Sequence, residues 1–182
     1  GGSFMLLKKK TLFLGLVLMG ASYADCQKNY TGMFCDGTSV DNITASGNVV
    51  LQGTTVTNKV AVSGLLDAYS ATLNEVGIAG KAQVSACKIA SKFAIKGYLE
   101  ANDSNFAGSL DITANEAKLT NVNAQNINVF PDSGKPSKLV LAGTTNVTGN
   151  ISFNPAGGEV VASSGVTIKG KITGAKLTKT GE

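Results

Sequence analysis

The sequence predicts an all-β protein, a single-stranded β-solenoid (β-helix) with about 16–17 residues per coil, and three observations carry that reading. Apolar residues alternate with polar or small ones over most of the chain, as in Val60-x-Val62-x-Gly64-x-Leu66-x-Ala68 and Phe93-x-Ile95-x-Gly97-x-Leu99-x-Ala101. A period of two belongs to strands with one buried face. Gly64, Gly80 and Gly97 stand 16 and 17 residues apart in matching contexts, and self-similarity at a fixed period marks a repeat architecture. Finally, the 182 residues include 22 glycines, with 43% apolar, 6% aromatic and 15% charged residues. That composition suits a narrow aliphatic bore turned at tight corners.

The repeat unit has internal grammar. Seven residues after each of these glycines comes a small residue, Ala71, Cys87 or Ser104, and two further on a larger apolar one, Leu73, Ile89 or Phe106. So short a unit cannot hold both a helix and a strand. It holds one coil of about three short strands, each stacked on the next coil at the strand spacing of about 4.8 Å. Glycines, Asn102-Asp103, Asn74-Glu75 and Asn115-Glu116 supply corners where positive φ or side-chain-to-backbone bonding is wanted. A β-sandwich also offers many short alternating strands, but its strands share no such register.

Taken in order, residues 1–24 read as a signal peptide: Lys8, Lys9 and Lys10, an apolar run from Thr11 to Met19, then Ser22-Tyr23-Ala24 as a cleavage site. Gly1 to Phe4 precede Met5 as an added scar or a mis-set start. The apolar run is well short of the roughly 20 residues that span a bilayer, so no membrane span is expected after cleavage. Tyr23-Ala24-Asp25 makes a poor lipobox before Cys26. Residues 25–46 form an N-terminal cap tied by a disulfide between Cys26 and Cys35, and within it 25–36 is the only stretch after the leader with any helical capacity. Such a bond is normal outside the cytosol. The solenoid then runs over 47–178. It is interrupted by an excursion loop at 130–138 that holds two of the three prolines, and Asp132, Lys135 and Lys138 are its candidate contact residues.

Composition excludes several chemistries. The chain has no His, no Trp and no Arg, its sixteen basic residues all being Lys. A Ser-His-Asp or Cys-His centre, a histidine-ligated metal and a bidentate arginine clamp are therefore impossible. No catalytic, cofactor-binding or metal-ligating residues are assigned, and no cofactor is expected. Cys87 sits in an apolar slot and reads as a buried, inert thiol. Beyond the leader, thirteen lysines face twelve carboxylates, which gives no footprint for nucleic acid. Asp67 and Glu100 fall one coil either side of Gln83, pointing outward; carboxylates two coils apart, about 10 Å, suit a solvated face better than a catalytic pair. The sequons at Asn29, Asn42, Asn146 and Asn150 are chance matches in an Asn/Thr-rich, bacterial-looking chain. Only Thr55-x-Thr57 and Thr178-x-Thr180 occur as T-x-T, too few for an ice-binding ladder.

The string V-x-G-x-L-x-A…A-x-L-x-x-V-x-I-x-G-x-A, over roughly residues 47–129, resembles the right-handed β-helices of bacterial auto-transporter adhesin head (GIN-type) domains and is more distantly similar to bactofilin-like polymer-forming proteins. The adhesin likeness implies an exported envelope or surface protein without catalytic residues. The cytoskeletal role of the bactofilins does not carry over, because they lack a signal peptide. The expected function is thus a structural or adhesive envelope protein, located in the periplasm, at the cell surface or outside the cell, and acting through its solenoid surface. Expected partners are itself, by end-to-end strand pairing across open edges, or an envelope or host surface component. Lys169, Lys171, Lys176 and Lys179 are expected to guard or regulate the C-terminal end. The alternative is a carbohydrate-binding or carbohydrate-cleaving solenoid.

Overall fold

The computed structural model describes residues 26–181, so the leader read over 1–24 lies outside the described residues. Within them the chain is all-β and winds into a parallel β-solenoid of about nine turns. Each coil lays down three walls. The first is a short piece such as Lys88–Ile89, Asn105–Phe106 or Asn123–Ala124; the second comprises segments such as Leu110–Thr113 and Ile127–Phe130; the third comprises segments such as Glu116–Thr120, Lys138–Ala142 and Gly158–Ser163. Every wall pairs in parallel with its counterpart in the next coil.

The glycine repeat is a ladder. Gly47, Gly64, Gly80 and Gly97 occupy successive rungs where the second wall bends into the third. They hold φ between 102° and 139°, a region costly to any residue with a Cβ. A Cβ on Gly80 would strike the carbonyl oxygen of Gly64, and one on Gly97 that of Gly80. Because this bend barely disturbs pairing, the strands Ser39–Gln52, Thr55–Tyr69 and Thr72–Ser85 run straight through it.

The opposite corner explains the small residue seven places on. Its first residue takes φ of 51–62° in Gly37, Gly53, Ser70, Ala86, Asp103, Asn121 and Gly143. Where the buried residue that follows carries a heteroatom, as in Thr54, Cys87, Ser104 and Thr145, its side chain bonds to nearby backbone; Ala71 and Val122 fill the same place without one. Ser104 Oγ donates to the Asn102 carbonyl at 2.8 Å and accepts the Cys87 N–H at 3.0 Å. Thr145 Oγ1 donates to the Ala142 carbonyl at 2.7 Å and accepts the Val122 N–H at 3.2 Å. Cys87 does likewise with its thiol, donating to the Ser85 carbonyl at 3.2 Å while the Ala71 N–H points at the sulfur from 3.4 Å. A small side chain with one heteroatom satisfies backbone groups that burial would otherwise orphan.

The bore is filled by columns. One runs Cys35, Leu51, Ala68, Val84, Ala101, Leu119, Leu141, Ala162 and ends on Lys179. All its members but the last are buried. Phe93 and Phe106, from adjacent coils, meet edge-on at 5.3 Å between centroids in the bore, the only aromatic pair among the described residues.

Two details differ from the sequence reading. Residues 26–36 form an antiparallel hairpin of Gln27–Asn29 and Gly32–Asp36, not a helix. Its second strand already stacks in parallel on 48–52, and Ser39–Ser46 pairs with the following coil, so stacking begins ahead of residue 47. Coil length also drifts: corresponding first-wall residues Ser39, Thr55, Thr72, Lys88 and Asn105 keep the 16–17 spacing, but Asn123, Asn146 and Thr167 follow at 18, 23 and 21.

Candidate functional site

Most of the extra residues of the long coils fall at one corner. Where the early coils turn on a single glycine, the fifth turn uses Ala114-Asn115, the next 131–137 and the next 154–157, before Gly174 restores the one-residue bend. Insertions on one face of a solenoid leave the core untouched and build walls for a ligand. The longer insertion is anchored at its end: Ser137 is buried and donates through Oγ to the Ala114 carbonyl at 2.6 Å, and the Glu159 N–H donates to the Ser137 carbonyl at 2.9 Å. At its tip Ser133 and Gly134 hold φ of 55° and 68°.

A cleft of about 580 Å³ opens between the two insertions and the third wall, lined by Lys135, Pro136, Ser137, Lys138, Gly157, Gly158, Glu159 and Lys176. Lys138, Glu159 and Lys176 lie on three consecutive rungs in register, and Glu116 stands on the rung before them. The column therefore alternates in sign along the axis. Glu159 is half-buried, and its Oε1 accepts a hydrogen bond from Thr178 Oγ1 at 2.7 Å. Among the described residues the ion pairs are Lys59–Glu75 at 3.5 Å and Lys92–Asp111 at 3.2 Å, so Lys135, Lys138 and Lys176 are unpaired.

Of the three contact residues expected on the loop, the structure brings Lys135 and Lys138 into this cleft. Asp132 is half-buried outside its lining and offers its carbonyl to the Lys135 N–H at 3.4 Å. Glu159 was missed, and Lys176, expected to guard the C-terminal end, instead lines this cleft. Their alignment lay in the register itself, hidden because Glu159 follows Lys138 by 21 residues and Lys176 follows Glu159 by 17, not at a constant interval. The expected Cys26–Cys35 bond is present, clamping the hairpin over the first coil. Cys87 is buried, and that burial pushes its thiol pKa up, outweighing its backbone hydrogen bonds, which lower it.

The acidic column is as the periodicity placed it, with Asp67, Gln83 and Glu100 on successive rungs. Tyr98 Oη contacts Glu100 Oε2 at 3.5 Å, and Lys81 Nζ lies 5.4 Å from the Tyr98 ring centre. Burial raises the Tyr98 pKa, with the charges of Glu100 and Glu116 adding to it. Among the described residues no three His, Cys, Asp or Glu side chains converge as a metal site. A larger groove of about 650 Å³ runs along the second wall over Thr44, Ala61, Gly77 and Ala94, with Lys96 and Asp111 at one end. Its lining is mostly small and apolar, with Lys96 and Asp111 its charged members.

Charge is polarised along the rod. Residues 26–130 carry seven lysines against eight carboxylates, whereas 131–181 carry six against two. The near-neutral total thus conceals a basic C-terminal third that includes the cleft. No helix among the described residues is long and apolar enough to cross a membrane. No protein-family model, curated protein or solved structure matches this chain.

Proposed function

We propose that the protein is an exported rod of the bacterial envelope or surface, structural or adhesive in role, that works through its lateral surface as a single copy. The observation that carries this reading is the state of the two ends. At the N-terminal end a disulfide-clamped hairpin lies over the third wall of the first coil. On the last described coil Val166, Ile168, Ile172 and Ala175 are only partly buried and Leu177 is 39% exposed, a surface open to a further coil. Lys179, however, occupies the core column of that last rung. A second molecule stacking there would bury an ammonium with no partner, at a cost of several kcal/mol. Inward-pointing charge on a terminal strand is a known guard against edge-to-edge pairing. End-to-end association, expected from the open edges alone, is therefore opposed by one residue, and the sides remain as the working surface.

The disulfide supports export, because such bonds persist in oxidising compartments. The glycine-spaced repeat that resembles auto-transporter adhesin heads supports the adhesive form of the role. Neither the acidic column nor the buried thiol presents a base, nucleophile and substrate pocket together, so no reaction is assigned. Cell fractionation with thiol labelling tests the reading. The protein is expected in the envelope or medium with Cys26 and Cys35 inaccessible to alkylation until reduced; a cytosolic pool with both thiols free would overturn it.

A further inference from the structure

The cleft at the expanded corner has a composition that selects among anions. Three lysines without ion-pair partners line it, and Glu159 stands on the rung between two of them. Lys138 and Lys176 are two rungs apart, about 10 Å, with Glu159 on the rung between. A ligand carrying charge on every unit would meet Glu159 head-on, since like charges that close disfavour one another. A chain with negative charge on alternate units and hydroxyls on the units between matches it instead. Thr178 engages only one Glu159 oxygen, so the carboxylate keeps acceptor capacity for a hydroxyl donor. Gly157 and Gly158 put backbone rather than side chain along the same cleft, which lets a broad ring approach closely.

We propose that this corner binds an acidic polysaccharide: lysines 135, 138 and 176 take the carboxylates of alternating sugars, and Glu159 accepts a hydroxyl from the sugar between. Lysine suits the task, being a compact charge on a flexible stem that follows a mobile chain. The walls come from the two insertions, and insertions of this kind on a solenoid cluster at binding faces. The inference rests on reading the sides of the rod as its working surface and gives that surface a ligand class.

Hyaluronan fragments, with a carboxylate on alternate sugars, are the probe, set against inorganic polyphosphate with a charge on every unit and against a neutral glucan. Calorimetric titration of the oxidised protein is expected to show hyaluronan binding that weakens with salt, since solvent-exposed charges are screened over about 8 Å at physiological ionic strength. Polyphosphate is expected to bind more weakly and the glucan not measurably. Lys135→Gln combined with Lys138→Gln should weaken hyaluronan binding about tenfold, through the loss of two exposed charge contacts, with the thermal midpoint unchanged. Glu159→Gln should raise polyphosphate affinity several-fold without raising that for hyaluronan. Absent hyaluronan binding, polyphosphate binding as tight as hyaluronan, or indifference to the double lysine variant would each overturn the proposal. None of these outcomes bears on whether the rod is a single copy, which sedimentation reads separately.

Discussion

Gly80 and Gly77 are three residues apart on one strand, yet substituting them should have opposite effects. Gly80 holds φ of 137°, and a Cβ there would run into the Gly64 carbonyl. Gly77 has ordinary extended backbone and nothing within 4 Å of an added Cβ. Gly80→Ala should therefore lower stability by about 2–4 kcal/mol, combining φ strain with a collision against backbone. Gly77→Ala should leave it unchanged or raise it by up to about 1 kcal/mol through reduced unfolded-state entropy. Urea unfolding of the two variants checks the pair, and equal effects would show that the ladder position does not matter. Cys87 offers a second test at this scale. Its burial favours the neutral thiol, so its contribution to stability is complete below the ordinary thiol pKa of about 8.5 and is lost as pH rises toward the higher folded value. A disulfide-exchange reagent should react with it only at the rate of opening, and Cys87→Ser should flatten the alkaline loss of stability. Serine already fills the same position one coil on, as Ser104.

At the scale of elements, the alternation predicted the inward residues of all three walls through the regular coils, because a strand's two-residue period maps directly onto burial. The corner rule is also legible: Ala71, Cys87 and Ser104 are equivalent in the repeat, and in the structure the side chains of Cys87 and Ser104 bond the backbone while Ala71 offers only its N–H to the Cys87 sulfur. What could not be read was the register beyond residue 130. Insertions of seven and four residues interrupt the count there, and only backbone pairing shows that Lys138, Glu159 and Lys176 are neighbours. The hairpin over 26–36 was hidden for a different reason. So short a segment has little periodicity, and its shape follows from the Cys26–Cys35 bond and from parallel pairing to the next coil. That dependence yields a prediction. Closing a loop of this size is worth roughly 2–3 kcal/mol on the chain-entropy estimate, but the hairpin touches only the end of the stack. Reduction should therefore accelerate hydrogen exchange at 27–36 while leaving the central coils protected, in the manner of local unfolding. Uniform loss of protection would mean that the clamp supports the whole rod.

At the scale of the molecule, a stack in which each coil touches only its neighbours has no intrinsic stopping point, so its length is decided at its ends. The near-neutral charge, the missing His, Arg and Trp, and the aliphatic composition all describe the middle of such a stack and say nothing about where it stops. The first described strands are clamped by the Cys26–Cys35 bond. On the last described rung stands Lys179, which in sequence is one lysine among several and, on the reading proposed above, acquires its role as a guard from lying beneath Ala162, Leu141 and Leu119. Its neighbours Lys169, Lys171 and Lys176 are exposed and leave the core column free. Sedimentation velocity of the oxidised protein beside its Lys179→Leu variant, over a wide concentration range, tests this most directly. A guarded rod predicts one monomeric species for the native sequence at every concentration and concentration-dependent association for Lys179→Leu. Association of the native protein, or a variant that stays monomeric, would contradict it.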